Sequence, residues 1–338
     1  MRKLIKQNIV VYYINSIINM INYLTSILSS RNSNSQTYRW LVGIALIYAT
    51  VAISNKSNAK FIKNEGFHQT KPYVYKKDDD IYDEFYADIY DELMNTSARS
   101  EWELVQMIRI TSPDTNNSVF LDIGSGTGYT VNELTQNGYR AYGVDNSQKM
   151  IEYAEKKYPN IQLVNANVKD SMAFERASFT HILCTKMTIY QFKDKHSFFS
   201  NCFRWMIPNG YLILHLVDRK YFNIIQPNAN RDVKFVPLIP KEDERCTKVV
   251  SHYDDFKYKA CYSFPENLEE MNVVSLTETF TDKETNYVRN QEHTMYMEDM
   301  KEIVNIAKQV GFIFHAKVDM EHVIGDENQY LYILERPH

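Results

Sequence analysis

The sequence predicts an α/β fold built on a doubly wound, mostly parallel sheet. Three observations carry that expectation. Residues 119–123 form an apolar run of strand length, glycines alternate at 124, 126 and 128, and a second apolar run at 141–144 ends on Asp145. Strand, tight turn, short helix and acid-terminated strand make a βαβ unit. Beyond it, strand-like runs alternate with helical periodicity to residue 217, and a helix with two more strands closes the chain.

Composition narrows the class. At 338 residues and 44% hydrophobic content, the chain can bury one large core, or one domain with an appendage. Residues 1–64 hold eight Lys or Arg and no acid, which leaves 30 basic and 42 acidic residues, a net of −12, in the rest. An acidic domain matches nucleic-acid phosphates poorly, so DNA is not the expected partner. Cys184, Cys202, Cys246 and Cys261 lack C-x-x-C spacing and read as reduced thiols of a cytosol-facing protein. No H-E-x-x-H, paired-cysteine zinc pattern or G-x-S-x-G occurs, and no metal is expected.

Residues 1–60 are expected to form membrane-associated helices. Residues 7–30 are uncharged, with Asn8, Asn15, Asn19, Asn22 and Ser26 on one helical stripe and apolar residues around it. Residues 40–55 are uncharged and more apolar, though sixteen residues is short of the roughly 20 that span a bilayer. Tyr38, Arg39, Trp40 and Lys56 suit an interface. One or two membrane segments, an in-plane helix and a cleaved signal are the readings in play. The in-plane helix lacks a charged face, and the signal lacks a prompt cleavage site. The folded part is expected to face the cytoplasm.

Residues 61–118 are expected to be a linker and lid helices. Ile81, Phe85, Ile89 and Leu93 recur at helical spacing beside a parallel stripe of Tyr82, Tyr86 and Tyr90, with Asp80 as a candidate N-cap. The string Ser-Glu-Trp-Glu from Ser100 is a capping box that predicts a second helix to about Ile110.

The glycine turn of the 119–338 domain decides the kind of cofactor. A glycine turn at a helix N-terminus with an acid closing the next strand suits an adenosine-type cofactor, its ribose held by the carboxylate. The dinucleotide pattern G-x-G-x-x-G fails, because Tyr129 stands where its third glycine belongs. The order is instead Asp122-x-Gly-x-Gly-x-Gly. This stretch resembles the first motif of class I S-adenosylmethionine-dependent methyltransferases. The resemblance implies a seven-stranded sheet with an antiparallel last strand and S-adenosyl-L-methionine as cofactor. It also implies cofactor contacts from Asp122, Gly124, Ser125, Gly126 and Gly128 of the turn, and from Asp145, Asn146 and Met150 after the second strand. Asn167 and Val168, closing the third strand at 161–167, would meet the adenine, with Asp170 as an alternative, and Thr185 would contact the cofactor from the fourth. Tyr82-Asp-x-Phe-Tyr86 resembles the N-terminal helix that closes over the ligands in small-molecule methyltransferases, which brings Tyr82 and Tyr86 near the reaction.

Ser147 caps the helix containing Met150, and residues 180–185 read as the fourth strand. Amino-group methyltransferases of nucleic acids carry Asn/Asp-Pro-Pro-Tyr/Phe after that strand. The Cys184-Thr-Lys-Met found here departs from it entirely. A helix at 198–206, a turn at 208–210 and a fifth strand at 211–217 follow. His215, near the carboxyl end of the fifth strand, is either a general base or a structural histidine bonded to backbone. Residues 221–297 alternate like antiparallel strands inserted after strand five, an arrangement similar to the acceptor wall of sugar-amine and other small-molecule N-methyltransferases. Arg289 and His293 are candidates to face that acceptor, or are solvated strand residues. A helix through Met300, Ile303, Val304, Ala307 and Val310, stopped by Gly311, precedes two closing strands.

A sulfonium methyl is already activated, so catalysis needs mainly alignment and exclusion of water. The expectation is a methyltransferase acting on N or O of a small-molecule or lipid acceptor at a membrane. Alternatives are a tethered protein or RNA methyltransferase, a non-catalytic S-adenosylmethionine-binding module and a nicotinamide oxidoreductase.

Overall fold

Two sheets, one mostly parallel and one mostly antiparallel, meet over a shared cavity. The computed structural model of the chain describes residues 70–223, 248–265 and 272–338, all within the unit spanning residues 67–338. The predicted membrane-associated segment, residues 1–60, lies outside the described residues. Among those described, no helix is long and apolar enough to cross a membrane.

The first described element is a strand, β1 (Tyr73–Lys77), in a stretch expected to be linker. A 3-10 turn (Asp78–Ile81) leads into α1 (Glu84–Met94). Asp80 lies inside that turn, so it does not cap the helix. Asp83 does, its carboxylate accepting the Tyr86 N–H at 3.2 Å. The next helix, α2 (Thr96–Thr111), starts upstream of the predicted Ser100. Ser100 is fully buried in mid-helix. Glu103 does not reach back to cap, because its carboxylate accepts from Arg99 Nε at 2.9 Å, one turn earlier.

The Rossmann-like part follows in order: β2 (Val119–Ile123), α3 (Tyr129–Gln136), β3 (Arg140–Asp145), α4 (Gln148–Lys157), β4 (Gln162–Asn165), β5 (Phe179–Cys184), α5 (Lys195–Trp205) and β6 (Met206–Val217). The apolar run of β2, interrupted only by Asp122, reflects a central strand flanked by β3 and β5 and covered on both faces. The predicted turn at 208–210 is a looped-out bulge within β6: Phe179 pairs with Met206 but His181 with Tyr211, and Asn209 takes φ 60°.

The inserted strands are β7 (Lys248–His252), β8 (Phe256–Ser263), β9 (Val273–Asp282) and β10 (Val288–Tyr296). Then come α6 (Met300–Val310), β11 (Ile313–Asp319), a short α7 (Glu321–Ile324) and β12 (Gln329–Arg336). Among the described residues the larger sheet has seven strands, ordered β11-β12-β6-β5-β2-β3-β4, with β12 antiparallel to both neighbours. The smaller sheet runs β1-β10-β9-β8-β7, so β1 joins the insertion by pairing parallel to β10. The short β1 escaped sequence reasoning because its pairing partner among the described residues, β10, is distant in the chain, with Tyr73 paired to Val288.

Candidate functional site

The site begins where β2 ends. The Gly124 and Ser125 amides donate to the Val144 carbonyl at 2.8 and 3.1 Å, which lays the turn across the end of β3. Gly143 permits that approach: a Cβ there would stand 2.7 Å from the Ser125 side chain. The Asp145 carboxylate then accepts from the Gly126 amide at 2.9 Å and the Ser147 amide at 2.8 Å. Burial raises the pKa of Asp145, while those two amides pull it back down.

The carboxyl edge of the sheet and the lid line a cavity. Gly124, Gly126, Asp145, Asn146, Met150, Asn167 and Val168 line it from the sheet side. The Asn167 side-chain carbonyl accepts from the Lys169 amide at 3.0 Å, which orients it just beyond β4 and leaves its second lone pair for a ligand. The lid contributes Tyr82, Tyr86 and Tyr90. Its N-terminal end is fastened from two sides. The Ser147 hydroxyl donates to the Tyr82 carbonyl at 2.6 Å and Gln191 Nε2 to the Tyr82 hydroxyl at 2.5 Å. On the far side, Arg289 donates to both Asp83 carboxylate oxygens at 2.9 and 3.1 Å and to the Ile81 carbonyl at 3.1 Å, stacked over Phe85.

The smaller sheet forms the opposite wall with Tyr258, Ala260, Tyr262, Leu276, Glu278, His293 and Met295. Glu278, only 1% exposed, accepts from Tyr258 Oη at 2.5 Å on one oxygen. Its other oxygen accepts from Tyr86 Oη at 3.1 Å, Gln291 Nε2 at 2.7 Å and His293 Nε2 at 2.7 Å. Burial alone would raise the pKa of Glu278, but His293 and the other donors hold it below the usual carboxylate value. Burial drives the Tyr82 and Tyr86 hydroxyls far above theirs, so both are neutral donors at physiological pH.

A cavity against the carboxyl edge of a parallel sheet, with an acid at the second strand's end, is the site at which such folds bind nucleosides. Residues 121–214 match the family described as methyltransferase domain. Part of the chain is thus similar to a methyltransferase domain. The putative methyltransferase YqeM of Bacillus subtilis (strain 168) is 27% identical over 134 residues, covering 38% of this chain and 52% of that protein. The match thus spans about half the length of that curated relative. The solved CcbJ methyltransferase from Streptomyces caelestis is similar at a TM-score of 0.58 and 14% identity, over 77% of this chain and 100% of that one. S-adenosylmethionine-bound CalS10, an amino pentose methyltransferase from Micromonospora echinaspora, gives 0.50 and 14%, over 72% and 94%. At these identities the likeness is one of fold.

Not every predicted site residue reaches the cavity. His215 does not. It is fully buried in β6, its Nδ1 hydrogen-bonded to Arg99 Nη2 at 2.8 Å, and burial next to that guanidinium pushes its pKa well down. A histidine so enclosed has no substrate within reach. Arg289 faces the lid and fixes it, so it does not line the cavity either. Asp122, Ser125, Gly128 and Thr185 sit behind the lining: Gly128 caps α3 and the Thr185 carbonyl accepts the Thr188 amide.

Sequence reasoning missed Glu278, Tyr258 and Gln191. A signal for Glu278 was present, because the alternation Val274, Leu276, Glu278, Phe280 puts an acid on the apolar face of β9.

Asp122 gives a pH prediction. Burial raises its carboxyl to about 7, against the pull of Lys186. Its folded pKa is therefore above its unfolded value, so the folded chain holds the extra proton between about pH 4 and 7 and stability falls across that window as pH rises. At roughly 1.36 kcal/mol per pH unit the loss is up to about 4 kcal/mol. Asp122→Asn is expected to melt higher than wild type at pH 8, with the gain vanishing near pH 4. A thermal-melt series across pH checks this, and parallel curves would refute it.

Proposed function

We propose that the chain transfers the methyl group of S-adenosylmethionine to nitrogen or oxygen of a small-molecule or lipid acceptor. The observation that carries this reading is the two-walled cavity. One wall is the cofactor edge of the parallel sheet, and the other is an aromatic and polar surface supplied by the inserted sheet and the lid. Asp145 holds the ribose, Gly124 and Gly126 let the amino-acid end approach the backbone, and Asn167 with the Val168 amide meets the adenine. Tyr82, Tyr86 and His293 face the acceptor. The enclosure supports a compact acceptor, as does the likeness to small-molecule methyltransferases. Enzymatically the domain needs to align an amine or hydroxyl with the sulfonium methyl and exclude water.

Residues 1–60 belong to the same reading. They tether the domain to a membrane with the site facing the cytoplasm, which raises the local concentration of a membrane-borne acceptor. The test is transfer of labelled methyl from S-adenosylmethionine by the full-length chain into separated small-molecule, lipid, protein and RNA fractions of cells. Label is expected in the small-molecule or lipid fraction. Label confined to protein or RNA would overturn the acceptor class, and no label despite cofactor binding would make this a non-catalytic module.

A further inference from the structure

The smaller sheet holds a polar line on its buried face that the cofactor does not need. Along β10, Arg289, Gln291, His293 and Met295 alternate inward, and Gln291 stands directly across from Glu278 on β9. Arg289 is accounted for by the lid. Glu278 already accepts from four donors, three of them on one oxygen, and His293 is among those three.

From this geometry we infer that His293, oriented by Glu278, is the base that receives a proton from a protonated amine acceptor. The inference rests on the methyltransferase reading and narrows it. Nε2–H donation to Glu278 at 2.7 Å fixes the neutral tautomer and makes Nδ1 the nitrogen that can take a proton. The adjacent carboxylate then stabilises the imidazolium as it forms, the role of the acid in acid–histidine pairs generally.

The chemistry favours an ammonium. A protonated amine has no lone pair for attack until it loses a proton. An alkyl ammonium, with an ordinary value of about 10.4, gives up that proton far more readily than a hydroxyl, near water's value of about 15.7. In the amine case R–NH3+ gives its proton to Nδ1, the freed nitrogen pair attacks the methyl carbon, and the carbon–sulfur bond breaks. Its electron pair stays on sulfur as the thioether of S-adenosylhomocysteine, leaving R–NH2+–CH3.

The surroundings fit a cation. Tyr82 and Tyr86 pack their rings 5.9 and 6.1 Å from the His293 ring, and tyrosine faces attract ammonium groups. Tyr258 faces the pair from β8 through Glu278. Farther out, the mouth carries Asp78 and Asp79 but also Lys169 and Lys193. Charge there is balanced, so selection falls to the inner wall.

Nitrogen-15 NMR of the histidine-labelled full-length chain, saturated with S-adenosylhomocysteine, tests this. The His293 signal is identified by its loss in His293→Gln, and the probes are cyclohexylamine and its shape match, cyclohexanol. The expected result is an Nε2-protonated neutral ring whose Nδ1 resonance moves with the amine and stays still with the alcohol. In Glu278→Gln both the tautomer preference and the amine response should be lost. An Nδ1-protonated ring, an equal or alcohol-only response, or none to either probe overturns the inference. Calorimetry on the same samples separates the two levels: if S-adenosylhomocysteine fails to bind wild type, the methyltransferase reading itself has failed.

Discussion

Replacing Asp145 with alanine is expected to weaken binding of S-adenosylhomocysteine by roughly 30- to 1,000-fold. The carboxylate does two things at once. In the proposed cofactor pose it accepts from the ribose hydroxyls at the end of β3, and it ties down the glycine turn through the Gly126 and Ser147 amides at 2.9 and 2.8 Å. Hydrogen bonds to charged groups contribute about 1.5–3 kcal/mol each, so losing the ribose contact and loosening the turn together cost about 2–4 kcal/mol. A tenfold change in affinity corresponds to roughly 1.4 kcal/mol, which converts that cost into the stated range. Asp145→Asn, which keeps one carbonyl acceptor, should fall between. Calorimetric titration of both variants checks the order, and an alanine variant that binds as tightly as wild type would place the ribose elsewhere.

The second large effect is on folding. Gly128 caps α3 with φ at 79°, and a Cβ there would stand 2.7 Å from Ile161 Cδ1 and 3.0 Å from the Ala154 Cβ. Gly128→Ala therefore combines left-handed backbone strain of about 1–2 kcal/mol with overpacking of about 1–3 kcal/mol. A loss of about 2–5 kcal/mol in denaturant unfolding is expected, with α4 displaced from the turn. A variant that unfolds at the same denaturant midpoint as wild type would mean the turn relaxes without cost. This glycine was expected to touch the cofactor. The structure gives it a different task, close packing of helix against turn.

The sheet side of the cavity was legible in outline because its signals are local, although Asp122, Ser125, Gly128 and Thr185 sit behind the lining. An apolar strand, three glycines and an acid all fall between Val119 and Asp145, and each is where it is for a backbone reason that any βαβ turn shares. The closing helix was legible for the same reason: Gly311 ends α6 at φ 120°, a conformation that favours glycine. The acceptor half was only partly legible. Tyr82, Tyr86 and His293 do line the cavity, but His215 and Arg289 do not, and in both cases the deciding partner is distant in sequence. Arg99 claims His215 from 116 residues away, and Asp83 claims Arg289 from 206. Periodicity reports which face a residue occupies, and it is silent on which charged group waits there. Capping failed similarly at Ser100, where a capping-box string is overridden by the Arg99–Glu103 pair inside a longer helix.

The central claim is that this cavity holds S-adenosylmethionine and not a dinucleotide. Titration calorimetry of the full-length chain with S-adenosylhomocysteine and, separately, with NAD tests it most directly. The account predicts saturable one-to-one binding of S-adenosylhomocysteine and little or no heat from NAD, since Tyr129 occupies the position where a dinucleotide turn keeps its third glycine. Tighter binding of NAD than of S-adenosylhomocysteine would contradict it.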